Sequence, residues 1–91
     1  MSKKEIEEIV VFAVNSELKE YKRALNIDKE GKWKEAEFRA DLGMDSLKTV
    51  ETFMICEKEF GITFTDDEIF KADTIGKLIE KIEGKLPNLT R

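Results

Sequence analysis

The apolar residues Ile6, Ile9, Val10, Ala13, Val14, Leu18 and Tyr21 recur at three- and four-residue spacing. That period commits the first quarter of the chain to an amphipathic helix. Ser2, with Glu5 three residues on, is the capping-box pattern that starts one. The same signals return further along. Thr65-Asp66-Asp67-Glu68 is a second capping box, ahead of Ile69 and Phe70. Asp73-Thr74 can cap a last helix carrying Ile75, Leu78, Ile79 and Ile82, stopped by Gly84 and Pro87. Residues 46 to 60 are again helically patterned, with Gly61 placed as a C-terminal cap. Pro87 is the one proline, so long uninterrupted helices are permitted. No segment alternates convincingly as a strand, and no internal repeat is visible.

The expected fold is therefore all-α: a small four-helix bundle, one domain over residues 1–91, with a long first loop and a short third helix. The helices are predicted at about 3–22, 46–60, 66–71 and 74–83. The connection between the first two is long for a small domain. Gly31 marks a turn in it, and Trp33 and Phe38 are its candidate anchors. At 100° per residue, Val50, Phe53, Cys56 and Phe60 share the core-facing side of the second helix with Glu57. Leu47 and Met54 lie at the edge of that side. Lys48, Glu51, Thr52, Ile55, Lys58 and Glu59 fall opposite. Cys56 on the buried side reads as packing.

Composition excludes several kinds of chemistry. The chain has no histidine and one cysteine, which rules out an internal disulfide and metal sites built on imidazole or paired thiolates. Residues 45 to 68 hold seven acids against two lysines. The net charge of −4 is therefore concentrated there, and the rest is close to neutral. An acidic surface disfavours nucleic acid and anionic membrane and favours partners with basic patches. No apolar run reaches membrane-spanning length, and the start of the chain looks like neither a transit peptide nor a signal peptide. These points lead to an expectation of a cytoplasmic, monomeric protein with no stable membrane insertion.

One run carries candidate chemistry: Asp41-Leu42-Gly43-Met44-Asp45-Ser46-Leu47, directly before the second helix. Ser46 has no candidate base to activate it as a nucleophile, so it makes more sense as a site that another enzyme modifies. No base–nucleophile pair, metal cluster or phosphate-cradling glycine loop suggests an enzyme. The serine could also be a helix N-cap or a kinase target in a helical interaction module without a prosthetic group. A calcium loop of the EF-hand type fails on spacing. Starting at Asp41, it would have Ser46 where the glycine belongs and Thr52 in place of the bidentate glutamate. A phosphodiester on Ser46 would sit favourably at the positive end of the helix. Gly43 gives the incoming loop its freedom.

From Phe38 through Ile82 the chain resembles the acyl carrier protein family without a gap. The matching landmarks are Phe38, Asp41-Leu42-Gly43, Asp45-Ser46-Leu47, Thr49-Val50-Glu51, Met54, Glu57, Glu59-Phe60 and Asp66-Asp67-Glu68. The resemblance implies that Ser46 would carry 4′-phosphopantetheine, placed there by a phosphopantetheinyl transferase. Asp45 would help to position that transferase and its metal. Acyl groups would ride as thioesters and be presented to acyl-transferring and chain-elongating enzymes of the fatty-acid type. Polyketide, aminoacyl or lipid-modification pathways are the alternatives. Leu47, Glu51, Met54 and Ile55 would be partner contacts on the second helix.

The chain departs from that family in five places. Lys48 stands where an acid is common, and Lys58 interrupts the acidic end of the second helix. Both would weaken steering toward basic partners. Phe53 and Leu78 stand where smaller residues often line the acyl cavity, so a reduced cavity and short or specialised cargo are expected. The first loop is longer than usual by roughly half a dozen residues, which suggests a specialised carrier.

Overall fold

In the computed structural model, which describes residues 1–86, four α-helices follow one another: α1 (Lys3–Leu18), α2 (Ser46–Phe60), α3 (Asp66–Lys71) and α4 (Ile75–Lys85). Each begins where a short polar side chain can satisfy an amide that has no partner inside the helix. Ser2 Oγ accepts from Glu5 N at 3.2 Å, and Ser2 N donates back to Glu5 Oε1 at 3.1 Å. Thr65 and Glu68 form the second reciprocal pair, and Thr74 Oγ1 accepts from Lys77 N at 3.2 Å.

Two helix ends differ from the spacing-based expectation. The α-helical part of α1 stops at Leu18 and tightens into a 3₁₀ turn over Lys19–Tyr21. Lys22 then takes a left-handed conformation (φ 56°), and Arg23 N bonds back to Leu18 O at 3.2 Å. Tyr21 is consequently exposed and is no part of the core. At the other end, α4 runs through Gly84 to Lys85. A lone glycine costs a helix only about 1 kcal/mol and does not by itself stop one. The predicted stop at Pro87 lies outside the described residues.

The core is built from Ile6, Val10, Ala13, Val14 and Leu18 of α1, Phe53, Cys56 and Phe60 of α2, and Ile75, Leu78, Ile79 and Ile82 of α4. The long connection adds Trp33, Phe38, Leu42 and Met44 to it. The two predicted aromatic anchors are thus both buried. Trp33 sits in a second 3₁₀ turn (Lys32–Glu35), which Asp28 fixes by accepting from Lys32 N at 2.9 Å and Trp33 N at 2.8 Å. These two amides, with Lys32 the larger influence, hold the Asp28 carboxyl below its ordinary range. The loop then runs alongside the start of α4. Phe38 N donates to Asp73 O (3.0 Å), Ile75 N donates to Ala36 O (3.1 Å), and Glu37 and Thr74 form an isolated antiparallel bridge. Gly76 permits this approach, since a Cβ there would lie 3.0 Å from Lys34 O.

The expected orientation of α2 needs correction. Thr52, placed on the open side by spacing, is fully buried, while Val50, placed in the core, is exposed. Ile55 does not point out among charges. It is half-buried and packs against the core. The buried arc of α2 is rotated by roughly 60° from the expected one, on a 100° helical wheel. The cause is α1, which packs along that flank of α2 and covers a side that spacing alone had assigned to solvent. Thr52 Oγ1 is satisfied inside by Lys48 O at 2.9 Å, with Met44 Sδ at 3.7 Å.

Candidate functional site

The loop that delivers Ser46 is held by its own backbone. Asp41 N and Leu42 N donate to Glu37 O (3.1 and 3.0 Å), Gly43 N to Arg39 O (3.1 Å) and Met44 N to Phe38 O (2.9 Å). The Asp41 side chain closes the turn by accepting from Glu37 N at 2.8 Å. Leu42 and Met44 plug into the core on either side of Gly43, which takes φ 70° to let the chain reverse between them. Arg23, just beyond α1, clamps the turn from outside. Its Nη1 donates to Leu42 O at 2.7 Å, and its Nη2 reaches Asp41 O at 3.5 Å. Sequence spacing gave no sign of this contact, because the partners lie 18 and 19 residues apart.

Asp45 is the N-cap of α2. Its Oδ1 accepts from Lys48 N at 2.8 Å, and its carbonyl accepts from Thr49 N (3.0 Å) and Thr49 Oγ1 (2.9 Å). The cap role therefore belongs to Asp45, and Ser46 is left as the first helical residue. Its side chain is exposed, and its hydroxyl has no hydrogen-bond partner among the described residues. The amides of Ser46 and Leu47 precede the first bond of the helix, Thr49 N to Asp45 O, and so stand at its positive end.

Ser46 borders an open groove of about 560 Å³ between α2 and α3. Phe38, Val50, Ile69, Phe70 and Ala72 supply its apolar walls, and Glu37, Arg39, Asp66 and Asp73 its polar ones. That volume is in the range of small-molecule sites. Beneath the groove, aromatic rings pack against one another in the bundle interior. The Phe53 ring meets Phe38 edge-on at 5.6 Å and Phe64 edge-on at 5.3 Å, and both Phe53 and Leu78 are fully buried.

The open face of α2 gathers Leu47 (65% exposed), Met54 (56%) and Val50, with Glu51 half-exposed beside them. Across the groove stands Phe70, 86% exposed. Phe70 went unrecognised in the sequence as a surface residue. Sequence spacing gave no clear sign of this, because residues 100° apart on a helix can share one buried face, as Leu78 and Ile79 do. The buried Cys56 thiol is pushed up to about 12 by desolvation and, secondarily, by Glu59 and Glu57. It is inert packing at neutral pH.

An unengaged hydroxyl at a helix start, beside an apolar groove, fits a residue that carries a covalent phosphate-linked arm. Residues 18–82 match the family model described as the phosphopantetheine attachment site. The acyl carrier protein of Porphyromonas gingivalis strain ATCC 33277 is 44% identical over 62 residues, covering 68% of this chain and 80% of the relative.

The chain belongs to the acyl carrier protein family.

The acyl carrier protein of Buchnera aphidicola subsp. Acyrthosiphon pisum strain 5A agrees, at 44% identity over 61 residues, covering 67% of this chain and 76% of that one. The chain is accordingly a non-catalytic carrier whose prosthetic group is 4′-phosphopantetheine. That group supplies the thiol to which acyl cargo is esterified. The described residues contain no helix long and apolar enough to cross a membrane.

Proposed function

We propose that Ser46 is the attachment residue and that the whole chain acts as one monomeric carrier domain in the cytoplasm, serving enzymes of the fatty-acid type. The exposed, unpartnered Ser46 hydroxyl at the head of α2 carries this reading. In the loading step a bond forms between Ser46 Oγ and the phosphorus of coenzyme A that bears the pantetheine. The bond from that phosphorus to the nucleotide part breaks. The serine proton leaves to a base of the transferase, since this chain has no histidine to take it. Asp45 uses Oδ1 for the cap, and its second oxygen, without a partner among the described residues, is available to the transferase and its metal.

Partner enzymes read the open face of α2: Leu47, Val50 and Met54 as apolar contacts, Glu51 as the charged one, and Ile55 only at its buried edge. Apolar centres with a charged rim are the usual form of such contacts. Phe70 extends the face onto α3. The partners are a phosphopantetheinyl transferase and acyl-transferring and chain-elongating enzymes with basic patches. The test is intact mass after incubation with coenzyme A and a broad-specificity transferase. Wild type gains one phosphopantetheinyl unit, and Ser46→Ala gains none. Gain in both variants overturns Ser46, and gain in neither overturns the carrier reading for this chain.

A further inference from the structure

Among the described residues, one cation lines the groove beside Ser46. Arg39 lines it together with Ser46, Val50 and Phe70, and three acids, Glu37, Asp66 and Asp73, line it as well. Most cations near the site are engaged. Arg23 is bound to the carbonyls of Leu42 and Asp41. Lys48 is turned to Glu20, and Lys77 holds Asp73 at 2.8 Å. The Arg39 guanidinium is exposed and has neither an ion pair nor a hydrogen bond among the described residues. Its backbone, by contrast, is fixed. Arg39 O accepts from Gly43 N, and the preceding Phe38 is buried and bonded to Asp73 O. A guanidinium on a fixed backbone, facing the groove that the serine borders, is arranged to meet an anion carried on that serine.

We propose that Arg39 holds the phosphodiester of the arm on Ser46 and so directs the arm into the groove between α2 and α3. The inference rests on the reading of Ser46 as the attachment residue. The ligand class is a phosphodiester monoanion followed by an uncharged, partly apolar chain. A planar guanidinium bonds two phosphate oxygens at once, which a lysine ammonium does not do in the same fixed geometry. The walls formed by Val50 and Phe70 then take the apolar part of the chain. Held this way, the arm lies along the surface of the bundle and not in its interior, where Phe53 packs against Phe38 and Phe64.

The experiment is NMR on the full chain before and after loading with coenzyme A and a transferase, with intact mass measured on the same samples. The Arg39 Nε–Hε signal is expected to shift on conversion to the loaded form, and the phosphorus signal of wild type to differ from that of loaded Arg39→Gln. Raising the salt concentration should collapse that difference, because an exposed charge pair is screened. If mass shows the arm in place while the Arg39 signal stays where it was and the two phosphorus signals coincide, the Arg39 inference fails and the attachment reading stands. If no mass is gained, the attachment reading fails and takes the inference with it.

Discussion

Lys48 Nζ lies 2.5 Å from Glu20 Oε2, joining the first turn of α2 to the 3₁₀ turn that follows α1. The same ammonium reaches Glu17 Oε1 at 3.7 Å and Glu51 Oε1 at 3.8 Å. The hydrogen bond that it donates to Glu20, the largest influence, holds its proton more tightly than usual. Lys48 had been expected to weaken the acidic field that basic partners follow. It is largely covered and directed at α1, so much of its charge is neutralised within the molecule. The open face of α2 keeps its acids. Lys58, in contrast, is exposed.

The cluster has a cost at Glu17. That carboxylate is buried, its Oε1 has no hydrogen bond, and its proton affinity is raised by desolvation first and by the Glu51 charge second. The folded chain therefore binds the Glu17 proton more tightly than the unfolded chain does, so this one group's contribution to stability falls as pH rises above the ordinary glutamate value of 4.5. Glu17→Gln removes the cost and leaves Lys48 with Glu20 and Glu51. The variant should melt about 2–4 °C above wild type at neutral pH, the scale by which roughly 0.5 kcal/mol moves a domain of this size. The advantage should shrink as pH falls toward and below 4.5. Thermal melts across pH check this, and an advantage independent of pH contradicts it.

Arg23 is predicted to stabilise the attachment loop. Arg23→Ala loses the bonds to Leu42 O and Asp41 O. Charged hydrogen bonds of this kind contribute about 1.5–3 kcal/mol, so a loss of about 1–2 kcal/mol is expected at this partly buried site. Loading of Ser46 should slow, because the loop that presents it loosens. Chemical denaturation and a loading time course report the two effects separately.

Phe53 is buried edge-on against Phe38 and Phe64, and is predicted to close the interior to cargo. In wild type, acyl chains of increasing length should leave the melting temperature nearly unchanged, because packed interiors offer few voids. Phe53→Ala would lose about 3–5 kcal/mol, too much for a small domain to bear comfortably, so Phe53→Leu is the better probe. It should melt lower when unloaded and regain stability as the acyl chain lengthens. A progressive rise in wild type would show that the interior does admit the chain.

Phe70 and Leu47 should matter to partners and not to folding. Phe70→Ser and Leu47→Ser alter exposed side chains, so stability should move by no more than about 0.5 kcal/mol. Affinity for a cognate partner enzyme should fall about tenfold or more for each, as loss of an apolar anchor does. Titration of loaded carrier against the partner decides this, and unchanged affinity removes these residues from the docking face.

Much of the architecture was legible because its signals are local. The caps at Ser2, Thr65 and Thr74 and the glycine after α2 are read within four residues, and the structure places helix boundaries at all of them. The Asp41–Leu47 run was equally readable. What escaped depends on contacts between distant segments. The turn at Lys32–Glu35 is held by Asp28 below it and α4 beside it. The rotation of α2, which buries Thr52 and frees Val50, is imposed by α1. The Arg23 clamp and the inward turn of Lys48 are of the same kind. A helical wheel treats one helix against one core, and α1 covers a flank of α2 that the wheel leaves to solvent.

The most direct test of this account is the mass of the chain after exposure to coenzyme A and a transferase, beside Ser46→Ala. One phosphopantetheinyl unit on wild type and none on the variant is the predicted result. An unchanged mass on folded, previously unmodified wild type would contradict it and leave Ser46 as no more than the first residue of α2.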